Sequence, residues 1–404
     1  MALMSVEEAS ALITQGVTAL GTEEVSVSAA AGRVLAQDLV ARRTQPPADM
    51  SAMDGYAVRS ADIATTPSTL TVIGESAAGR PFGGALGPGQ AVRIFTGAVV
   101  PEGADTVVIQ ENVARTGDTI TTTSLTAALR NVRKRGSDFA AGTPGLTAGR
   151  RMTGRDMMLA AAMDHAVVPV ARRPRMALLQ TGDELVLPGQ GTGADSEIVV
   201  SNAFGLAALA RRAGADVTDL GVLKDDLATI RATIARALSG EFDIVVSSGG
   251  ASVGDHDLMA PALKAEGVEL FVHKIALRPG KPLMFGHRGT VRVLGLPGNP
   301  VSSHVCGMIF LAPLLRALQG DAAPGPLTAP ARLAAELPAN DARRDFMRAK
   351  IERRPDGSVH VTPSASQDSA MLGILADADC LLVRPPYAPA GRVGDPCEII
   401  PFDD

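Results

Sequence analysis

Several short stretches of the chain combine backbone able to approach a ligand closely with side chains able to hold charge. SSGGASVGDHD, residues 247–257, follows an apolar run at Ile244–Val246. Glycine has no Cβ and reaches φ > 0 without strain, so Gly249, Gly250 and Gly254 can turn their N–H groups toward an anion. Ser248 and Ser252 add hydroxyls, and the helix expected at Asp257 adds the free N–H groups of its first turn. Asp255 and Asp257 stand at the same point. Carboxylates beside a phosphate cradle make chemical sense if Mg2+ lies between, because a hard cation shares oxygen ligands from both.

Three further stretches have related chemistry. QTGDEL offers Asp183 and Glu184 as a second source of metal ligands. KIALRPGKP places Lys274, Arg278 and Lys281 on a loop stiffened by proline, which suits the holding of an anion. GLPGNPVSS contains Pro297, Asn299 and Pro300 and reads first as a helix start, with Asn299 and Ser302 as capping candidates. Polar loops farther upstream carry Asp49, Ser51, Asp54, Thr96, Arg133, Arg135 and Asp138, with nothing in the spacing to say what they serve.

Other chemistries are poorly represented. The GxxxxGK[ST] phosphate loop and HExxH are absent, and GQGTGAD at residue 189 has neither the spacing nor the preceding strand of a dinucleotide site. The six histidines are scattered, and the three cysteines lack CxxC spacing, so a zinc site or disulfide framework is not expected. The formal net charge of −5 and the absence of tryptophan argue against nucleic acid or an anionic membrane as partner. Glu7 and Glu8 sit where a signal peptide would be basic, and the uncharged stretch 300–315 falls short of the ~20 residues of a membrane span. A buried helix and a cytoplasmic protein are expected.

The elements that must position these residues follow from hydrophobic rhythm. Ser5 and Glu8 have capping-box spacing, so a helix should run to about residue 16. From 45 to 125, the short β-rich runs TLTVIG, AVRIF, DTVVIQ and TITTTS alternate with glycine and proline turns. GRDMMLAAAMDH is helical in pattern. From residue 172 strands alternate with helices of 10–15 residues, implying a parallel sheet covered on both faces. One of these helices should be capped by Asp225 or Asp226, and another should follow Pro300. After the linker GDAAPGPLTAP the chain returns to short strands. The expectation is a multidomain chain of α/β plus all-β class: 1–44 with 140–171 as a discontinuous helical linker domain, 45–139 as a β-rich insertion, 172–322 as a three-layer α/β domain, and 327–404 as a β domain. In an open α/β sheet the ligand site lies beyond the carboxyl ends of the strands, which is where the glycine loop, QTGDEL and GLPGNPVSS fall.

SAMDGYAVR, RIFTGAVVPEGADTVV, VRKRGSD, TGDEL, SSGGASVGDHD, RPGKP and GLPGNPVS occur in the order found in molybdopterin molybdenumtransferases, which are similar to the C-terminal domain of gephyrin. The resemblance runs from about residue 5 to the C-terminus. It implies the last step of molybdenum cofactor synthesis: adenylylated molybdopterin and molybdate bind, the pyrophosphate link is cleaved with Mg2+, and AMP leaves. It also implies a homodimer, with each active site between the α/β domain (the molybdopterin-binding domain) of one subunit and the β insertion of the other. Carried over by motif, the active-site residues are Asp54, Thr96, Arg133, Asp138, Glu184, Asp225 or Asp226, Asp257, Lys274, Arg278 and Lys281. Arg343 and Ser369 resemble positions associated with molybdate insertion.

The sequence departs from the family pattern at three points: Arg278 stands in place of a lysine, Met50 in place of a polar residue, and QDSA, with Asp368, in place of QGSH. Two other functions share features of the pattern. A molybdopterin adenylyltransferase has a similar but shorter glycine loop ending in a GGTG-type turn, and a gephyrin-like scaffold would need no catalysis.

Overall fold

The computed structural model describes residues 3–249 and 258–402, with backbone alone at 272 and 273. The chain divides into two compact units, Met1–Glu23, Gly32–Val34 and Ala171–Asp404 forming one, and Glu24–Ala31 with Leu35–Val170 the other.

The larger unit is built on a six-stranded sheet. Its strands run, in spatial order, Asp216–Leu223, Arg175–Thr181, Ile244–Ser248, Val291–Leu296, Pro282–Arg288 and Glu269–Lys274. The first four are parallel, and the last two join antiparallel, so the sheet is mixed where a parallel one was expected. The sequence pattern marks only the basic loop KIALRPGKP between these two strands and does not announce the strands themselves. Ile244, Val245 and Val246 are buried because both faces of the sheet are covered. Leu178, Val246 and Leu294 face one apolar core, while Ala177, Val245 and Val293 face the other.

The helices behave as their caps dictate. Ser5 and Glu8 form the anticipated capping box on Val6–Thr14. Of the two candidate caps for Leu227–Ala237 it is Asp226 that accepts from the Thr229 N–H, at 2.8 Å. At the helix beginning with Pro300, Asn299 occupies the N-cap position but its side chain makes no capping bond, and Ser302 is buried within the helix. That helix runs from Pro300 to Leu318 with a π-helical stretch at Gly307–Leu311, and it is 72% buried. By length and composition alone it could cross a bilayer, but Val301, Val305, Phe310 and Leu314 make it the centre of the larger core.

The same unit carries a C-terminal sheet that closes on itself. Arg344–Arg353, Val359–Pro363, Ala329–Leu333, Pro396–Pro401 and Cys380–Arg384 pair in that order, and Cys380–Arg384 returns to Arg344–Arg353, giving a five-stranded barrel without free edges. A two-residue strand, Leu277–Arg278, adds to it in parallel.

The smaller unit holds a second six-stranded sheet in the order Thr106–Ile109, Gly55–Val58, Gln90–Ile94, Thr69–Ser76, Thr119–Thr122 and Val113–Thr116. Both faces are apolar, with Tyr56 and Val58 in one core and Ala57 and Val92 in the other. A separate core gathers around the helix Gly154–Ala162, capped by a Thr153–Asp156 box.

Candidate active site

The central strands of the larger unit deliver their carboxyl ends side by side. Gly249 follows Ser248 with φ +92°, a conformation that disfavours a side chain, and its N–H donates to the Leu296 carbonyl at 3.2 Å. A Cβ there would lie 3.2 Å from the Thr181 carbonyl, and the Cα of Gly249 lies 3.7 Å from where Gly298 would carry one. Three strand ends thus meet at Gly249, where the positive φ strains any side chain. Asn202, which sequence reading passed over, ties them: its Nδ2 donates to Ser248 Oγ and to the Gly298 carbonyl, both at 2.8 Å. The only available signal was its position at the start of a helix facing the loop. Pro297 is buried beside it. Gly250, Ser252, Gly254, Asp255 and Asp257 lie outside the described residues.

Asp183 and Glu184 are exposed at the end of the neighbouring strand. The Asp225 N–H donates to Asp183 Oδ1 at 3.2 Å, and Lys224 Nζ to the Asp183 carbonyl at 3.3 Å. The Glu184 carboxylate folds over Gly182, where a Cβ would come within 2.7 Å of its Oε2. Asp226, in contrast, is spent on its helix: its bonds from Thr229 hold its carboxyl below the usual range. Among the described residues no three His, Cys, Asp or Glu side chains gather as a metal cluster.

The basic loop separates its three cations. Lys274 and Lys281 are exposed. Arg278 is turned toward the barrel, where Nε donates to Asp345 Oδ1 at 2.7 Å, Nη2 pairs with Asp345 Oδ2, and Nη2 also reaches Asn340 Oδ1 at 3.1 Å. The bond to Asp345 holds its proton more tightly than usual. Arg343 lies in the same ionic group, its Nη2 2.9 Å from Asp341 Oδ2. Elsewhere on the barrel's border, Asn299 Nδ2 donates to Ser369 Oγ at 3.0 Å, and Val301 N–H to the Ser369 carbonyl at 3.1 Å. Two residues singled out 70 positions apart are therefore in contact.

In the smaller unit the polar loops also converge. Asp54 Oδ1 accepts from Thr96 N–H at 2.7 Å and from Thr96 Oγ1 at 2.8 Å. Chiefly through the backbone bond from Thr96, the Asp54 carboxyl sits below the usual range. Backbone bonds from Gly97 to Ser51 and from Ala52 to Asn131 join the loops at 49–54, 95–100 and 131–138. Asp49 binds Lys134 Nζ at 2.8 Å and the Arg135 N–H at 2.9 Å, while Arg133 and Asp138 remain exposed. Arg93, missed in the sequence although it sits three residues before Thr96, braces the group: its guanidinium lies over Tyr56 and Phe95 and donates to the Gly55 carbonyl at 3.1 Å.

Comparison with known proteins agrees with these motifs along the whole chain. Residues 4–163 match the family described as MoeA N-terminal region (domain I and II), 177–317 the probable molybdopterin binding domain, and 330–402 the MoeA C-terminal region (domain IV). A Haemophilus influenzae protein named molybdopterin molybdenumtransferase is 35% identical over 386 residues, 95% of this chain and 94% of its own. A Nostoc protein of the same name is 40% identical over 306 residues, 74% of this chain and 70% of its own. The crystal structure of a molybdopterin biosynthesis moeA protein from Pyrococcus horikoshii superposes with a TM-score of 0.86 at 28% identity, covering 99% of this chain and all of that one. The chain belongs to the MoeA family, whose curated members are named molybdopterin molybdenumtransferases.

Proposed function

We propose that this chain inserts molybdate into adenylylated molybdopterin, cleaving the pyrophosphate bond and releasing AMP, in molybdenum cofactor biosynthesis. The observation that supports this most directly is the meeting of three strand ends at Gly249, with the Gly298 turn and Asn202 fixed beside it. Backbone without side chains at the carboxyl ends of parallel strands lets a diphosphate approach closely. Exposed Lys274 and Lys281 would offset its charge. Asn299 and Ser369 would face the oxyanion, with Asp54, Thr96, Arg133 and Asp138 contributed from the insertion sheet. In a homodimer, which we also propose, that sheet would come from the second subunit. A cytoplasmic setting is part of this proposal, and the burial of the Pro300–Leu318 helix within the core gives it no need of a bilayer.

Mg2+ fits the acids present. Asp183 and Glu184 supply hard carboxylate oxygens, and the glycine at 182 leaves the room that the Glu184 carboxylate occupies. Magnesium takes one or two carboxylates together with substrate phosphates and water, so a three-acid cage is not required. When bound, it would neutralise charge developing on the phosphoryl oxygens. The chain's own groups bind, orient and screen the diphosphate, and no covalent nucleophile is needed.

The test is AMP release from adenylylated molybdopterin with molybdate and Mg2+. The chain should release AMP only when molybdate is present, and Lys281→Ala should slow that release by about tenfold or more. AMP release that ignores molybdate, or turnover of ATP with free molybdopterin, would replace this reading with the adenylyltransferase one.

A further inference from the structure

At the end of its sheet opposite Gly249, the larger unit holds a slot of about 340 Å³, within the range of about 300–1,000 Å³ usual for small-molecule sites. The helix Val6–Thr14 lines it with Leu12 and Ile13, the two antiparallel strands with Phe271 and Phe285, and the Pro300–Leu318 helix with Leu314. Phe285 belongs to the core, and Phe271 stacks on it with ring centroids 5.7 Å apart. Phe271 and Leu12 are nonetheless 41% and 39% exposed, so the core's apolar surface continues outward to solvent at this slot.

Arg292 lines the same slot. It stands near the start of Val291–Leu296, the strand whose last residue accepts from the Gly249 N–H, so about 13 Å of strand lies between it and the candidate active site. Among the described residues its guanidinium makes no ion pair and no hydrogen bond. Burial weakens its hold on its proton, and no acid offsets this. Cross-strand register sets Glu269, His287 and Arg292 in one row. Glu269, the one acid among the described residues of the lining, is 3.6 Å from His287 Nε2. Arg292 Nη2 lies 3.8 Å from where Gly16 would carry a Cβ, just past the helix Val6–Thr14. A helix dipole favours a cation there, yet the guanidinium's planar fork of donors is left unused.

We propose that this slot is a binding site for a small aromatic monocarboxylate, apart from the candidate active site: Arg292 takes the carboxylate and Phe271 the ring. A fork of N–H donors matches a carboxylate two bonds at a time, and an aromatic body gains both burial and ring contact against Phe271. Glu269, on the same row, repels a second negative charge, which favours a monocarboxylate over phosphate.

Calorimetric titration of the full chain with phenylacetate, and with phenylacetamide as a neutral compound of the same shape, tests it. Phenylacetate should bind saturably with a Kd below about 1 mM, and phenylacetamide at least about tenfold more weakly. Arg292→Met should weaken phenylacetate by about tenfold and erase the difference between the two compounds, while its melting temperature falls by no more than about 2 °C. Phe271→Ala should weaken both compounds by about threefold or more. Lys281→Ala and added AMP should leave phenylacetate binding as it is. Absence of saturable binding, a preference for phenylacetate that survives in Arg292→Met, displacement by AMP, or inorganic phosphate bound as tightly would each overturn the proposal. An Arg292→Met chain that melts several degrees lower would do so too, by giving the guanidinium a structural task.

Discussion

Two charged places in the molecule handle their ions in opposite ways. At the insertion sheet, Asp54 receives two neutral hydrogen bonds, both from Thr96, and lies exposed without an ion pair among the described residues. At the border of the C-terminal barrel, Arg278, Asp345, Asp341 and Arg343 answer one another, with Asn340 filling the remaining positions. The first arrangement orients a charge and leaves it available, whereas the second consumes its charges internally. A site that must respond to a substrate's ions needs the first kind. The second fixes a loop. Substitutions at Asp54, Arg278 and Asp341 turn this contrast into measurements.

The largest effect belongs to Asp54. Asp54→Ala should lower AMP release by about 100-fold or more, the scale seen when an oriented polar group is removed from a transition state. Melting should barely change, because the carboxylate is exposed and Thr96 regains water as a partner. The same variant checks the proposed subunit arrangement. Asp54→Ala and Lys281→Ala chains, each impaired alone, should recover about a quarter of the wild-type rate when refolded together, since about half of randomly paired dimers carry one intact site. No recovery would mean that both residues serve one site from a single chain, or that the dimer does not form.

How far the sequence could be read follows the same contrast. Strand alternation and turn chemistry revealed both β-rich regions, and helix caps could be named from Ser5 with Glu8, because such signals are local. The convergence of loops 49–54, 95–100 and 131–138 was not legible, since it depends on strand order. Arg278 shows the limit most clearly. Its loop marked it as an anion holder, yet its partner Asp345 is 67 residues away and no spacing rule connects them. Arg292 escaped notice for a related reason: in sequence it is one more charge in a strand, and only strand order and the first helix give it its surroundings. Resemblance supplied Arg343 and Ser369, but the bond between Ser369 and Asn299 required coordinates.

The middle effect concerns Arg278. Arg278→Ala leaves Asp345, 6% exposed, without its fork. Stripping one partner from a buried pair costs 3–5 kcal/mol, but here the guanidinium is half in solvent, so about 1–2 kcal/mol is expected. Arg278→Lys keeps charge without the bidentate geometry and should lose less, under about 1 kcal/mol. Urea midpoints with unchanged slope would read both. If Arg278 is structural, AMP release should suffer less than in Lys281→Ala. A large catalytic loss with no loss of stability would place Arg278 on the substrate and break the contrast.

The smallest effect lies at Asp341, where pH decides. Its carboxyl is held down to about 2 from an ordinary 3.8, first by the side-chain bond from Arg343 and then by the Arg343 N–H. The folded chain therefore binds this proton less readily than the unfolded one. The stabilisation is complete above 3.8 and disappears as pH falls toward about 2. Both partners are substantially exposed, so its size should stay under about 1 kcal/mol and shrink with added salt. Asp341→Asn keeps an acceptor for Arg343 but cannot ionise. Urea midpoints of the two chains should differ at neutral pH and converge as the medium is acidified through that window. A gap that survives at the acid end would assign the contribution to shape or hydrogen bonding, and the barrel's ionic group would then owe its hold to Asp345 alone.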